Sequence, residues 1–159
     1  MEPLPLSVFQ RVIDINLTGT IDLVRQLLPH IIRGPASHPD GERGIVIMIA
    51  SNAAFDGQSG QVAYSASKGA IASMTLPLAR DLSRYGVRVV TIAPSLFETP
   101  MASLTSAKVR QSLKKSMEFP ARPGEPTEFA SLVRHAIENV MLNGVVIRLD
   151  GASRMPSRL

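Results

Sequence analysis

Gly44-Ile45-Val46-Ile47-Met48-Ile49-Ala50-Ser51, with Tyr64-Ser65-Ala66-Ser67-Lys68 beginning thirteen residues beyond that serine, decides how this chain is read. The first run is continuously apolar, as strands buried on both faces of a parallel sheet are. The second lies in a segment whose spacing is helical. Positions four apart share a helix face, so Tyr64 and Lys68 point into one site, and a serine ending the preceding strand can face them there. An ammonium beside a phenol stabilises the phenolate, and the serine hydroxyl can hold a substrate oxygen next to it. Alone, a tyrosine and a lysine at this spacing read more simply as a helix face with a lysine reaching for water. Ser51 at this distance, with the features below, favours a proton-transfer device.

Working outward, the chain reads as a single α/β domain without internal repeats. Ser7 is a suitable cap for a helix running to about Ile32, with apolar positions at Val8, Val12, Ile15, Leu23, Leu27 and Ile31. Gly34-Pro35-Ala36-Ser37-His38-Pro39-Asp40-Gly41 is turn chemistry throughout. The helix carrying Tyr64 covers about Val62 to Tyr85 and stops at Gly86, and Pro77 is expected to kink it. Val87 to Ile92 is the next strand. A helical segment follows from about Ala102 to Met117, then the breaker run Pro120 to Pro126. Thr127 caps a last helix to about Val140, and Val145 to Leu149 is the final strand. Strands separated by long crossovers imply a parallel sheet. Asn16 and Gly19 are poor residues for a helix interior. They are either a tolerated blemish or the sign of a distorted turn that frees the Asn16 carbonyl for a water.

Together these residues resemble the short-chain dehydrogenase/reductase family. Asn16 in Asp14-Ile15-Asn16-Leu17-Thr18-Gly19-Thr20, with Ser51, Tyr64 and Lys68, matches the family's tetrad, and Pro94-Ser95-Leu96-Phe97-Glu98-Thr99 matches its P-G-x-x-x-T loop. Ala53 to Gln58, Met74 to Pro77 and Val146 to Ala152 are similar to the short-chain 3-hydroxyacyl-CoA dehydrogenase branch, which includes 17β-hydroxysteroid dehydrogenase activity. The resemblance implies the C-terminal half of a doubly wound, Rossmann-like sheet. Residues 1–159 would then be one partial domain, because a dinucleotide site needs a glycine-rich turn between strand and helix for the pyrophosphate. The eleven glycines form no such cluster.

The resemblance also implies roles. Tyr64 would be the general acid/base, and Lys68 would bind the nicotinamide ribose and stabilise the phenolate. Ser51 would hold the reacting oxygen, and Asn16 would link Lys68 to solvent. Thr99 and the backbone near Phe97 would contact the carboxamide of NAD, NADP not being distinguished. Ser95 replaces the family glycine and would be strained if that position needs positive φ. The 101–119 segment lies where the family places a substrate lid, and its apolar side reads equally as helix packing. Gln61 is open to two readings, a substrate contact or an ordinary polar residue at a helix start. The implied substrate is a small molecule, an acyl-CoA or a steroid, and the implied assembly a homo-oligomer.

Composition narrows the classes. Of 159 residues 45% are hydrophobic, no apolar run is long enough to span a bilayer, and cysteine is absent. The first residues lack the pattern of a signal peptide, so no membrane role is expected. The net charge is +4, with basic residues scattered and only two tyrosines and five phenylalanines to stack on bases, which argues against nucleic acid. His30, His38 and His135 have no metal-ligand spacing, so no metal is expected. Ser157-Arg158-Leu159 is a variant of the S-K-L peroxisomal address. In a eukaryote it implies peroxisomes; otherwise the cytoplasm is expected, with mitochondria open. The competing reading is a truncated subunit without catalysis that acts by association with family members.

Overall fold

The computed structural model of the chain describes residues 3–37, 39–100, 113, 116–155 and 157. Two helices, α1 (Leu6–Ile13) and α2 (Gly19–Arg33), are joined by a π-helical turn at Asp14–Thr18. Then come β1 (Gly44–Ile49), a single 3₁₀ turn (Asn52–Ala54), α3 (Val62–Ser83), β2 (Val87–Pro94), α4 (Pro126–Glu138) and β3 (Val145–Leu149). The three strands form a parallel sheet in the order β1-β2-β3. Gly44 faces Val87, Ile49 faces Ile92, and Val90 faces Val145. The fold expected from the sequence, part of a doubly wound α/β domain, is the one observed. The helical segment expected at about 102–117 falls almost wholly outside the described residues.

β2 is the centre. Val89, Val90, Ile92 and Ala93 are fully buried, and Met48, Ala50, Ile71, Ala79 and Leu82 pack against this strand from β1 and α3. Among them sits one polar pair: Thr75 Oγ1 and Thr91 Oγ1 lie 2.7 Å apart, and Thr75 also donates to the Ile71 carbonyl. Sharing a proton lets both hydroxyls stay buried without the desolvation cost of an unpaired one.

Several local expectations are corrected. α1 starts at Pro5, without a side-chain cap, so Ser7 lies inside the helix. Glu125 replaces Thr127 as the cap of α4: it forms a reciprocal capping box with Glu128, and Pro126 takes the first helical position. α3 continues through Pro77 without a break, with Pro77 and Ser73 both on the exposed face. A carbonyl that loses its helical N–H there can turn to water. The helix ends earlier than expected, at Ser83 with Arg84 as its C-cap, and Gly86, at φ +69°, closes the turn into β2.

The apolar stripe read along α1 and α2 is also partly misplaced. Val8, Ile15, Leu23 and Leu27 stay 47–64% exposed. The inward stripe instead runs through Val12, Ile13, Asn16, Leu17, Thr20, Val24, Leu28 and Ile31. One extra residue per turn at Asp14–Thr18 rotates the second helix relative to the first, so a uniform 3.6-residue period cannot describe both.

Candidate active site

The carboxyl ends of β1 and β2 position the residues singled out above. Ser51 stands just beyond β1 in extended backbone (φ −164°, ψ 159°) and opens the 3₁₀ turn, its Oγ accepting from the Ala53 N–H at 3.1 Å. The same hydroxyl donates to Asn52 Oδ1 at 3.3 Å, a long bond. Oγ is therefore fixed in place while its proton is only weakly held. Ser51 is 8% exposed.

Tyr64 and Lys68 occupy the first two turns of α3. Lys68 Nζ donates to the Ile49 carbonyl at 2.9 Å, which pins the lysine to the end of β1. From there the ammonium lies 5.8 Å from the centroid of the Tyr64 ring, within cation–π range. Burial holds the Lys68 pKa below the ordinary lysine value. Tyr64 itself is 36% exposed, so the phenol is anchored through its helix and presented on an open face. Ser51, Tyr64 and Lys68 are thus brought to one end of the sheet by a strand end and the helix that follows it.

Asn16 is tied to the Tyr64 turn through Ser67. Its Nδ2 donates to Ser67 Oγ at 3.2 Å, and Ser67 Oγ donates to the Tyr64 carbonyl at 2.7 Å. The distorted turn is real, a π-helical turn, and the Asn16 carbonyl accepts from Thr20 Oγ1 at 2.8 Å. Sequence reasoning missed Ser67, although its place three residues after Tyr64 marks the same helix face. It missed Gly57 too: a Cβ there would collide with the Ser65 hydroxyl, so the loop after Ser51 lies flush against the first turn of α3. The Ser65 hydroxyl is buried with no partner among the described residues.

Gln61 turns its Oε1 back to the Gln58 N–H at 3.1 Å, which makes it a brace of this loop. Phe97 lies edge-on to Phe129 with ring centroids 5.8 Å apart, and its ring fills the space over Gly124 that any Cβ would need. Gly124 N–H donates to the Leu96 carbonyl, and Glu98 N–H to that of Gly124, so this loop is fastened backbone to backbone. Thr99 is exposed at its end. Ser95 donates its N–H to the Leu149 carbonyl, and its φ is not positive, so the serine sits there without backbone strain. A cavity of about 130 Å³ behind the loop is lined by Ser95, Phe97, Met117, Gly124 and Leu149, apart from Tyr64 and Lys68.

With this geometry in view, comparison with known proteins is informative. A profile of the short chain dehydrogenases matches residues 1–110. The chain is 55% identical over 150 residues to 3-hydroxyacyl-CoA dehydrogenase type-2 of Drosophila melanogaster, covering 94% of this chain and 58% of that protein. It is 53% identical over 152 residues to the Homo sapiens protein of the same name, with 94% and 57% covered. The crystal structure of 3-hydroxyacyl-CoA dehydrogenase type-2 from Mycobacterium avium superposes with a TM-score of 0.89 at 38% identity, over 98% of this chain and 59% of that one. The chain thus spans well under two thirds of the length of the curated relatives it matches.

Proposed function

The chain belongs to the short chain dehydrogenase family, and from that premise we propose that it forms the catalytic part of an oxidoreductase acting on a secondary alcohol or its ketone. The observation that carries the reading is the Lys68 ammonium, anchored on the Ile49 carbonyl and lying 5.8 Å from the Tyr64 ring centroid, with Ser51 at the end of the same strand. In oxidation Tyr64, as phenolate, takes the hydroxyl proton of the substrate; in reduction the phenol returns it to the oxygen. The Ser51 hydroxyl swings its proton from Asn52 Oδ1 to that same oxygen, while the Ala53 N–H keeps Oγ still. Lys68 keeps positive charge beside the ring in both directions. Asn16 and Ser67 steady the Tyr64 turn of α3, and Asn16 serves a solvent-linked relay to Lys68.

A nicotinamide dinucleotide, NAD or NADP, would supply the hydride exchange. The residues present fit its nicotinamide end. Lys68 uses one N–H on Ile49 and has two more for ribose hydroxyls, and Thr99 with the Phe97 backbone borders the sheet's carboxyl edge, where such ligands bind. The pyrophosphate grip has no glycine-rich counterpart in residues 1–159, which we read as one partial domain. The name shared by the relatives makes a 3-hydroxyacyl-CoA the first substrate to try, and the branch that the sequence resembles makes a hydroxysteroid the second. Besides bracing its loop, Gln61 is proposed to contact the substrate, and Ser157-Arg158-Leu159, as a free carboxyl terminus, would direct the protein to peroxisomes in a eukaryotic host. A homo-oligomer is the assembly proposed.

The test is replacement of Tyr64 by Phe in the chain joined to the part of the Drosophila relative that it does not match. Loss of turnover with NADH affinity kept supports the assignment; near-normal turnover removes it. A second reading, a subunit that works by association alone, is favoured by the exposed Val8, Ile15, Leu23 and Leu27 and by the second edge of β1, which pairs with no strand among the described residues. Calorimetry with NADH on the 159-residue chain separates the two. No binding by a self-associating chain supports the second reading for the chain alone, and micromolar binding by a monomer overturns it.

A further inference from the structure

The loop between the 3₁₀ turn and α3 is closed at its two ends by local bonds: Phe55 and Asp56 N–H both donate to the Asn52 carbonyl at 2.9 Å, while Gln58 N–H donates to Gln61 Oε1 at 3.1 Å and Gln61 N–H to the Gln58 carbonyl at 3.0 Å. The segment at and after the end of β3 supports it from outside. Arg148 sends Nη2 to Asp56 Oδ2, Nε to Asp150 Oδ2 at 2.6 Å, and Nη2 again to the Ser153 carbonyl at 3.2 Å. Its guanidinium lies 5.1 Å from the centroid of the Phe55 ring. Ser59 donates from both N–H (3.2 Å) and Oγ (2.9 Å) to the Ser157 carbonyl. The turn that holds Arg148 also holds what leaves the 101–115 region. The Gly151 carbonyl accepts from Glu118 and Phe119 N–H, and Ser153 Oγ lies 3.0 Å from Ser116 Oγ.

This support reaches the catalytic helix through a short path. Arg148 grips Asp56; the next residue, Gly57, presses on Ser65, which is the neighbour of Tyr64. The side chains of Arg148 and Asp56 are each 22% exposed, and that of Asp150 only 8%. Here an ion pair is screened less than at a free surface. An arginine is needed because its planar fork reaches two carboxylates on different segments at once.

The structure assigns to Arg148 the role of a positioning residue: through Asp56 and the Gly57–Ser65 contact it sets where the Ser51 loop and the first turn of α3 stand relative to each other. What that placement serves, one substrate oxygen shared by Ser51 and Tyr64, rests on the function proposed above. The placement itself does not.

The experiment uses the 159-residue chain as it is, with Arg148→Met, Arg148→Lys, Asp56→Asn and the Asp56→Asn/Arg148→Met double variant. Amide hydrogen exchange is followed together with the amide NMR shifts of Ser51, Gly57, Tyr64 and Ser65. Each single variant should raise exchange at residues 53–60 by about tenfold or more and move the Tyr64 and Ser65 resonances, leaving β1 and β2 amides unchanged. The double variant should do no more than Arg148→Met, and Arg148→Lys should fall between. Asp56→Asn is the milder probe should Arg148→Met fold poorly. Unchanged loop exchange, exchange that rises equally throughout the chain, or additive effects in the double variant would overturn the assignment. All of these outcomes are independent of turnover, so loss of the dehydrogenase reading through Tyr64→Phe would leave the result standing.

Discussion

Two arginines, Arg88 buried and Arg148 half-buried, stand at opposite ends of the sheet and do different work. Arg88, near the amino end of β2, turns its guanidinium to Glu42, to the Leu142 carbonyl, and to the Ala136 and Ile137 carbonyls at the end of α4. The α4 carbonyls have no helical partner and carry the negative end of the helix dipole, so Arg88 ties the β1 approach, β2 and α4 into one body. Arg148, at the carboxyl end of β3, grips two carboxylates on loops. The same side chain thus closes secondary structure at one end of the sheet and places a site at the other. In a parallel sheet the amino ends are free to be purely structural, because ligands gather at the carboxyl ends.

The largest effect expected is at the amino end. Arg88→Met strands Glu42 and several carbonyls in a site where the pair is only 8% and 11% exposed, and losing one partner of a buried pair costs about 3–5 kcal/mol. Against a total of roughly 5–15 kcal/mol, much of the chain should be unfolded in a urea titration. Wild-type stability would break the comparison outright.

At the carboxyl end, Tyr64→Phe should do the reverse: turnover in the joined form falls by about 10²–10⁴ while the urea midpoint hardly moves. A fall in stability matching that in rate would mean the two ends are not separate. Between them lies the Thr75–Thr91 pair. Thr75→Val leaves the Thr91 hydroxyl buried without its partner and should cost about 1–3 kcal/mol, with the Thr75→Val/Thr91→Val double variant recovering most of it. A double variant as unstable as the single would show that the hydroxyl pair is not what matters there.

The smallest effect belongs to the surface. The Arg122 guanidinium, with the Glu125 N–H, holds the Glu128 pKa down at about 2 against an ordinary 4.5. A depressed carboxyl favours folding above its unfolded value, and that contribution disappears as pH falls from about 4.5 towards 2. Glu128→Gln should therefore lower the thermal midpoint slightly at pH 6 and match wild type near pH 2. Because the pair is exposed, added salt should shrink the difference. A large salt-independent loss would move Glu128 into the structural group.

Much of this was legible in the chain. Gly44–Ile49 and Val145–Leu149 appear with the bounds read from sequence, because strands of a parallel sheet are short apolar runs and turn residues punctuate them, although only Met48 among these residues is fully buried. Ser51, Tyr64 and Lys68 were found as a motif whose spacing is set by one strand end and one helix period. What local rules could not supply was rotational phase. The outward-facing Ile15 and Leu23 were read as packing residues, since Asn16 and Gly19 signal a distorted turn but not that it is π-helical and adds one residue to the circuit. The cap of α4 was placed on Thr127 for the same reason: Glu125 and Thr127 both suit a helix start, and only the Glu125–Glu128 reciprocity decides between them.

By itself, then, the sequence determined the strand–helix alternation, the parallel sheet and the gathering of Ser51, Tyr64 and Lys68 at one end of it, all of which depend on periodicity and short spacings. Tertiary structure alone decided that Lys68 is anchored on Ile49, that Asn16 reaches Tyr64 through Ser67, and that Arg148 holds Asp56 from 92 positions away. These are contacts between polar groups far apart in the chain. Their partners are selected by which side chains packing leaves facing one another out of water, and no local pattern records that choice.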